Sequence, residues 1–294
     1  MRSLYFKVAW RVRLLYDAIK SLMVNPRKKP WVNLILQLFT CSEDLLEDFL
    51  NSFALQHNRR GILFQFDPFF LQVPNELCDR DILMQLLEIV YPSLSGHCLP
   101  FILKEGPYEY GPVKIEPGDV VIDAGASIGF FAIMSACKVG KEGAVYAFEP
   151  YPEALKHLRF NQKINRLKNL EIIGKALGNA VGSLTLYQGG LAESSGKIPV
   201  SGTIFTAEQT TVDAFVRTMN LKKLDFIKMD VEGMERELLM GACDTLARHK
   251  PKLSIATYHL PEDSEVIPTM IHQVCAEYRI IRKEKKLYAY VPKR

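Results

Sequence analysis

The stretch that most constrains this chain is V-V-I-D-A-G-A-S-I-G-F-F, from Val120 to Phe131. An apolar run ends in an acid, Asp123. Two glycines follow, Gly125 and Gly129, and an apolar helical pattern then begins. This reads as a buried strand, a tight turn and a helix N-terminus. Glycines at such a corner let the backbone take positive φ and let a ligand lie against it. The unpaired N–H groups of the helix start favour negative charge. A dinucleotide grip needs G-x-G-x-x-G, but Ser127 and Phe130 stand where its second and third glycines belong.

A second strand, Ala144 to Phe148, ends in Glu149 and Pro150, and Glu149 lies twenty residues beyond Gly129. One helix plus one strand fits that interval. An acid at the second strand tip is an acceptor-only group, suited to a pair of ribose hydroxyls. The D-A-G-A-S-I-G turn resembles motif I of S-adenosylmethionine (SAM) dependent methyltransferases. In that family the turn cradles the amino-acid end of the cofactor, and the strand-end acid lies close to its ammonium.

A third run, D-F-I-K-M-D-V-E-G-M-E from Asp225 to Glu235, predicts another buried strand. Its carboxyl end carries Asp230 and Glu232, with Lys228 on the same pleat parity. Ionisable groups gathered at one strand end are costly unless they serve a site or pair with one another. Lys228 reads most simply as an ion-pair partner of Asp230 or Glu232. Glu235 reads as a charge at a helix N-terminus. His259, in T-Y-H-L after the following strand, falls on the same rim and is a second candidate base beside Asp230. Asp230 and Glu232 are also suited to Mg²⁺, but no third carboxylate or amide ligand is evident, so no metal site is assigned.

Strands alternating with helices predict an α/β chain with a Rossmann-like, doubly wound, mostly parallel seven-stranded sheet. An antiparallel hairpin over Tyr278–Val291 closes it. Residues 1–95 read as an N-terminal helical cap and 96–294 as the catalytic domain. Within the cap, apolar residues at three- and four-residue steps from Leu4 to Met23 predict a basic amphipathic helix. Residues 1–30 carry eight Lys/Arg against the single acid Asp17. That helix either packs on its own domain or sits on an anionic membrane surface. A second helix is predicted from about Trp31 to Gln56 and another over 79–91. Residues 98–115 read as a hairpin, Met234 to Leu246 as one helix, and 188–209 as a long Gly/Ser loop.

Net charge is only +4, which argues against a nucleic-acid partner. The six cysteines form no C-x-x-C pair, which fits a reducing, cytoplasmic compartment. No apolar run is long enough for a membrane span.

The combined blocks resemble the FkbM family of SAM-dependent O-methyltransferases. They are V-I-D-A-G-A-S-I-G, F-E-P-Y-P-E-A-L followed by Asn161 and Asn165, K-A-L-G-N, T-V-D-A-F, D-F-I-K-M-D-V-E-G-M-E-R-E-L-L-M-G-A and Y-H-L-P-E-D, covering about 118 to 265. The resemblance implies SAM as cofactor and a hydroxyl acceptor on a sugar, glycan, lipid headgroup or secondary metabolite. It implies a cofactor lining of Asp123, Gly125, Ala126, Ser127 and Gly129, continued by Glu149 and Pro150 and completed by Ala176 and Asp230. Ala176 would lie near the adenine, and Asp230 where donor and acceptor meet. Asp230, His259 and Lys228 are the candidate catalytic residues. The competing readings are an NAD-dependent sugar-modifying enzyme and a non-catalytic SAM-binding or membrane-associated protein. Tyr-x-x-x-Lys pairs at Tyr16/Lys20 and Tyr110/Lys114 precede the glycine corner, which weakens the first.

Overall fold

The computed structural model describes residues 54–58, 61–66, 68–77, 105–189, 194–196 and 203–292. Its centre is a seven-stranded sheet in the order β6-β5-β4-β11-β12-β14-β13. The strands are β4 (Val120–Ala124), β5 (Ala144–Phe148), β6 (Leu170–Ile173), β11 (Phe226–Met229), β12 (Lys252–Ala256), β13 (Arg279–Lys283) and β14 (Lys286–Tyr290). The first five in spatial order run parallel, and β14 and β13 close the sheet antiparallel. The chain steps outward from β4 to β6, then returns to β11 on the other side of β4. Ligands bind outside the carboxyl ends of the strands at such a reversal.

Helices cover both faces. On one, α1 (Phe130–Val139) and α2 (Pro152–Asn165) pack on Val121, Val145, Ala147 and Phe226. On the other, α3 (Val212–Thr218), α4 (Glu235–Met240), α5 (Cys243–His249) and α6 (Asp263–Val274) pack on Ile122, Ile227, Leu253 and Ile255. Strand residues buried on both faces give the continuous apolar runs seen in the sequence. The helix predicted from Met234 to Leu246 is two helices, because it breaks at Gly241. A Cβ there would fall 2.0 Å from the Gly178 carbonyl oxygen, so the close approach requires glycine.

Two further expectations are corrected. Of 188–209, Thr203–Thr210 is a strand, β10, not loop. It pairs antiparallel with β8 (Gly182–Gln188) and parallel with β7 (Ala176–Leu177), with β9 (Ser194–Ser195) on the far side of β8. Its alternating, Thr-rich sequence outweighs the Gly/Ser content of the preceding segment. Of 98–115, the described part holds a single bridge between Tyr110 and Val113 around the Gly111-Pro112 turn.

The described part of the expected helical cap is a β-meander: β1 (Ala54–Asn58), β2 (Gly61–Phe66) and β3 (Phe69–Val73). Phe64, Phe66, Leu71 and Val73 alternate inward and are fully buried, a period-two pattern that suits a strand. The amphipathic helix expected within 1–24 and the helix over 79–91 lie outside the described residues. The meander shares one core with α1 and α2, and two asparagines pin it there. Asn161 accepts from Gln72 N at 2.7 Å and donates to Gln72 O at 3.1 Å and Ile128 O at 2.9 Å. Asn165 accepts from Phe70 N and donates to Phe70 O, both at 2.7 Å. No helix among the described residues is long and apolar enough to cross a membrane.

Asn161→Ala leaves buried backbone groups of Gln72 and Ile128 unpaired. We expect a loss of about 3 kcal/mol in stability, read from urea unfolding of the full chain.

Candidate active site

The site is built at the β4–β11 reversal. Gly125 (φ 76°) and Ala126 both donate backbone N–H bonds to Phe148 O, at 3.0 and 2.9 Å, which staples the turn to the tip of β5. Ser127 (φ 49°) donates its N–H to Glu149 Oε2 at 2.7 Å, and Tyr151 N–H donates to Glu149 Oε1 at 2.9 Å. Gly129 (φ 99°) then starts α1. A Cβ on Gly125 would fall 1.9 Å from Asp230 O. The two strand tips therefore touch, and only glycine permits it.

Beneath the turn, Lys228 faces Asp123 across the β4–β11 register, with Nζ 3.1 Å from Oδ1. Lys228 Nζ also donates to Gly125 O at 2.6 Å and reaches Ala124 O at 3.3 Å. Asp123 is completely buried. The partner of Lys228 is thus Asp123 rather than Asp230 or Glu232, and the lysine ties the glycine corner to β11. Burial pushes Asp123 above its ordinary pKa against the opposing pull of Lys228. Burial opposes the Lys228 charge, but Asp123, Asp230 and Glu149 outweigh it and raise the pKa of the ammonium. Burial also raises Glu149 to about 7, partly offset by the Tyr151 and Ser127 amides and by Lys228.

Asp230 follows β11, held by its N–H on Ala124 O at 3.2 Å. Its Oδ2 accepts from the Tyr108 hydroxyl. Burial pushes the Asp230 pKa up, but Lys228, His259, Lys286 and the Tyr108 bond hold it below the ordinary range. Its Oδ1 is buried with no hydrogen-bond partner. The Tyr108 ring lies near two cations. Lys228 Nζ lies 5.0 Å and Lys286 Nζ 4.5 Å from its ring centroid, and Phe131 packs against it at 5.2 Å.

Glu232 (φ 52°) and Gly233 (φ 93°) bend the chain after β11. Glu235 turns back into this bend and accepts from Val231 N at 2.9 Å and Gly233 N at 3.1 Å. Glu235 Oε1 also meets His259 Nδ1 at 2.9 Å. Since a carboxylate only accepts, Nδ1 carries the proton. His259 Nε2 then faces Glu232 Oε2 at 3.3 Å and Asp230 Oδ1 at 3.6 Å. Burial would lower the His259 pKa, but the Glu235 bond and the three surrounding carboxylates raise it to about 9.

The structure therefore gathers Asp123, Gly125, Ala126, Ser127, Glu149, Lys228, Asp230 and His259 around one reversal. Gly129 opens α1 there, and Pro150 follows Glu149 at the tip of β5. Ala176 is buried in β7, paired with Gln209, just past the end of β6. Tyr108, Lys286 and the inward role of Glu235 were not anticipated. Tyr108 and Lys286 come from segments without a motif. The run K-K-L-Y-A-Y did place a lysine where strand parity alternates, but that does not say which face is buried.

A methyltransferase FkbM domain model matches residues 123–282. The hexuronic acid methyltransferase AglP of Haloferax volcanii is 29% identical over 135 residues, covering 45% of this chain and 54% of that protein. The uncharacterized RNA methyltransferase YljE of Lactococcus lactis is 42% identical over 67 residues, covering 23% of this chain and 14% of that protein. This chain thus spans about half of one curated relative and a small part of the other. Among solved structures, methyltransferase FkbM from Methylobacillus flagellatus has a TM-score of 0.48 at 23% identity, covering 73% of this chain and 56% of that one.

Lys228→Met strands the Asp123 charge in the sheet. We expect a loss of about 3–5 kcal/mol, most of it recovered by pairing the change with Asp123→Asn, as read from a double-mutant cycle in urea.

Proposed function

The chain belongs to the FkbM methyltransferase family, and from that premise we propose that it is a SAM-dependent O-methyltransferase. Its acceptor is a hydroxyl of a sugar, glycan, lipid headgroup or secondary metabolite. A sugar acceptor is favoured, because a hexuronic acid methyltransferase is among its relatives. The observation that carries the reading is the convergence of Glu149, the Gly125 turn and Asp230 at adjoining strand ends, with Asp230 Oδ1 buried without a hydrogen bond.

The donor set fits SAM. Glu149 is fixed by two amides, and each of its oxygens keeps a further lone pair for a ribose hydroxyl. The turn from Gly125 to Gly129 would take the amino-acid end, with Ala126, Ser127 and Pro150 beside it and Ala176 toward the adenine. Asp123, wholly buried, acts through Lys228 as a positioning residue. The acidic rim suits a cationic cofactor. Bound SAM supplies an electrophilic methyl group, and the protein supplies alignment.

An acceptor hydroxyl must give up its proton as its oxygen is alkylated. Asp230 Oδ1 is buried at the rim without a hydrogen bond, and Asp230 is the carboxylate placed to receive that hydrogen bond. Lys228, Lys286 and Tyr108 keep Asp230 ionised and oriented. His259, enclosed by three carboxylates, is placed to hold the Asp230–Glu232 rim together rather than to work alone as a free base. The 67-residue match to an RNA methyltransferase covers too little of that protein to bring its acceptor with it.

The test is transfer of labelled methyl from SAM to glycan and small-molecule fractions, followed by mass analysis of the labelled product. We expect a methyl ether on a hydroxyl. Asp230→Asn should lower kcat about 100-fold or more, well beyond any loss of SAM affinity. Label appearing in RNA, or full turnover by Asp230→Asn, would contradict the reading.

A further inference from the structure

The rim carries a cluster of three side chains that could hold a cation. Asp230, Glu232 and His259 each present one ligand atom, and the three atoms lie within 4.8 Å of one another. The cluster is more than a collection of acids. The His259 side chain is only 5% exposed, and its Nε2 makes no hydrogen bond although two carboxylate oxygens lie at 3.3 and 3.6 Å. Asp230 Oδ1, which faces it, is likewise buried without a hydrogen bond.

Nδ1 donates to Glu235, so the Nε2 of a neutral ring offers a lone pair to two anionic oxygens. That arrangement is repulsive unless a cation stands between them. A proton on Nε2 is one such cation, but Nε2 makes a hydrogen bond to neither oxygen, and a metal ion in its place would bind both. With metal–ligand bonds of about 2.1 Å, neighbouring ligand atoms stand about 3.0 Å apart on an octahedron and about 3.4 Å apart on a tetrahedron. The observed 3.3 Å falls between these edges and 3.6 Å lies slightly beyond the longer one.

The outer support has the matching form. Ligating histidines commonly donate their other N–H to a carboxylate, which fixes ring and tautomer. Glu235 does this, and it is locked by the Val231 and Gly233 amides. All three ligand residues are half-buried.

We propose that Asp230, Glu232 and His259 form a binding site for a divalent transition-metal ion at the acceptor rim. One imidazole nitrogen with two carboxylates suits Mn²⁺ or Zn²⁺ better than the all-oxygen preference of Mg²⁺ and Ca²⁺. The purpose of the site rests on the methyltransferase reading: in the metal-loaded protein the cation would lower the pKa of an acceptor hydroxyl beside it, and Asp230 would act as its ligand rather than as the direct base. Its existence does not rest on that reading.

The experiment is titration of the EDTA-treated full chain with MnCl2, following free Mn²⁺ by electron paramagnetic resonance, with ZnCl2 as competitor. SAM binding to the same stripped protein is measured by calorimetry in parallel. We expect one Mn²⁺ per chain, displaced by Zn²⁺. Glu232→Gln and His259→Ala should each weaken Mn²⁺ at least tenfold, and Glu235→Gln about tenfold. Glu232 is partly exposed, so its glutamine variant tests the site without emptying a core position. Absence of saturable Mn²⁺ and Zn²⁺ binding, or unchanged Mn²⁺ affinity in Glu232→Gln, overturns the proposal and assigns the cation between the carboxylates to a proton. Mn²⁺ binding without any SAM binding upholds the metal site and overturns the cofactor reading instead.

Discussion

The pair of Asp123 and Lys228 is the constraint on which the rest of the site depends. The two residues are cross-strand neighbours in the middle of a parallel sheet, and neither has appreciable contact with water. Burying either charge alone is prohibitive, so each fixes the other. The lysine has donors to spare and places them on the Ala124 and Gly125 carbonyls. One buried cation thereby joins the glycine corner of β4 to the acidic tip of β11. A glycine at 125 is needed for that contact, since the Asp230 carbonyl occupies the space of any Cβ.

From that joint the remaining groups fall into place. The corner offers its Ser127 amide to Glu149, and β11 delivers Asp230 and Glu232 to the same rim. Glu235, folded back onto the bend, aims His259 at both carboxylates. Positive charge arrives from Lys228 and from Lys286, one on β11 and one on the closing hairpin, with Tyr108 between them. The rim is acidic on its face and cationic beneath. A carboxylate so supported stays ionised although it is buried.

Much of this was legible in the residues. The strand, acid, glycine turn and second acid from Val120 to Glu149 are local in sequence, and so is D-V-E-G after β11. Local signals of that kind survive folding because backbone geometry alone sets them. What the sequence hid is register. Nothing near Lys228 says that it lies opposite Asp123 rather than beside Asp230, because that pairing spans a long insertion and depends on how two parallel strands align. The partnership of Tyr108 and Asp230 is hidden for the same reason. The meander of 54–77 was hidden differently. Its short strands carry two prolines at their ends, and its burial depends on Asn161 and Asn165, whose side chains read as ordinary helix residues.

The most direct measurement is a crystal structure of the full chain grown with S-adenosylhomocysteine. The account predicts the ligand on the 125–129 turn, its ribose hydroxyls on Glu149, its sulfur side facing Asp230, and Lys228 still paired with Asp123. A ligand bound away from this corner, or Lys228 swung off Asp123 to contact the ligand, would contradict it.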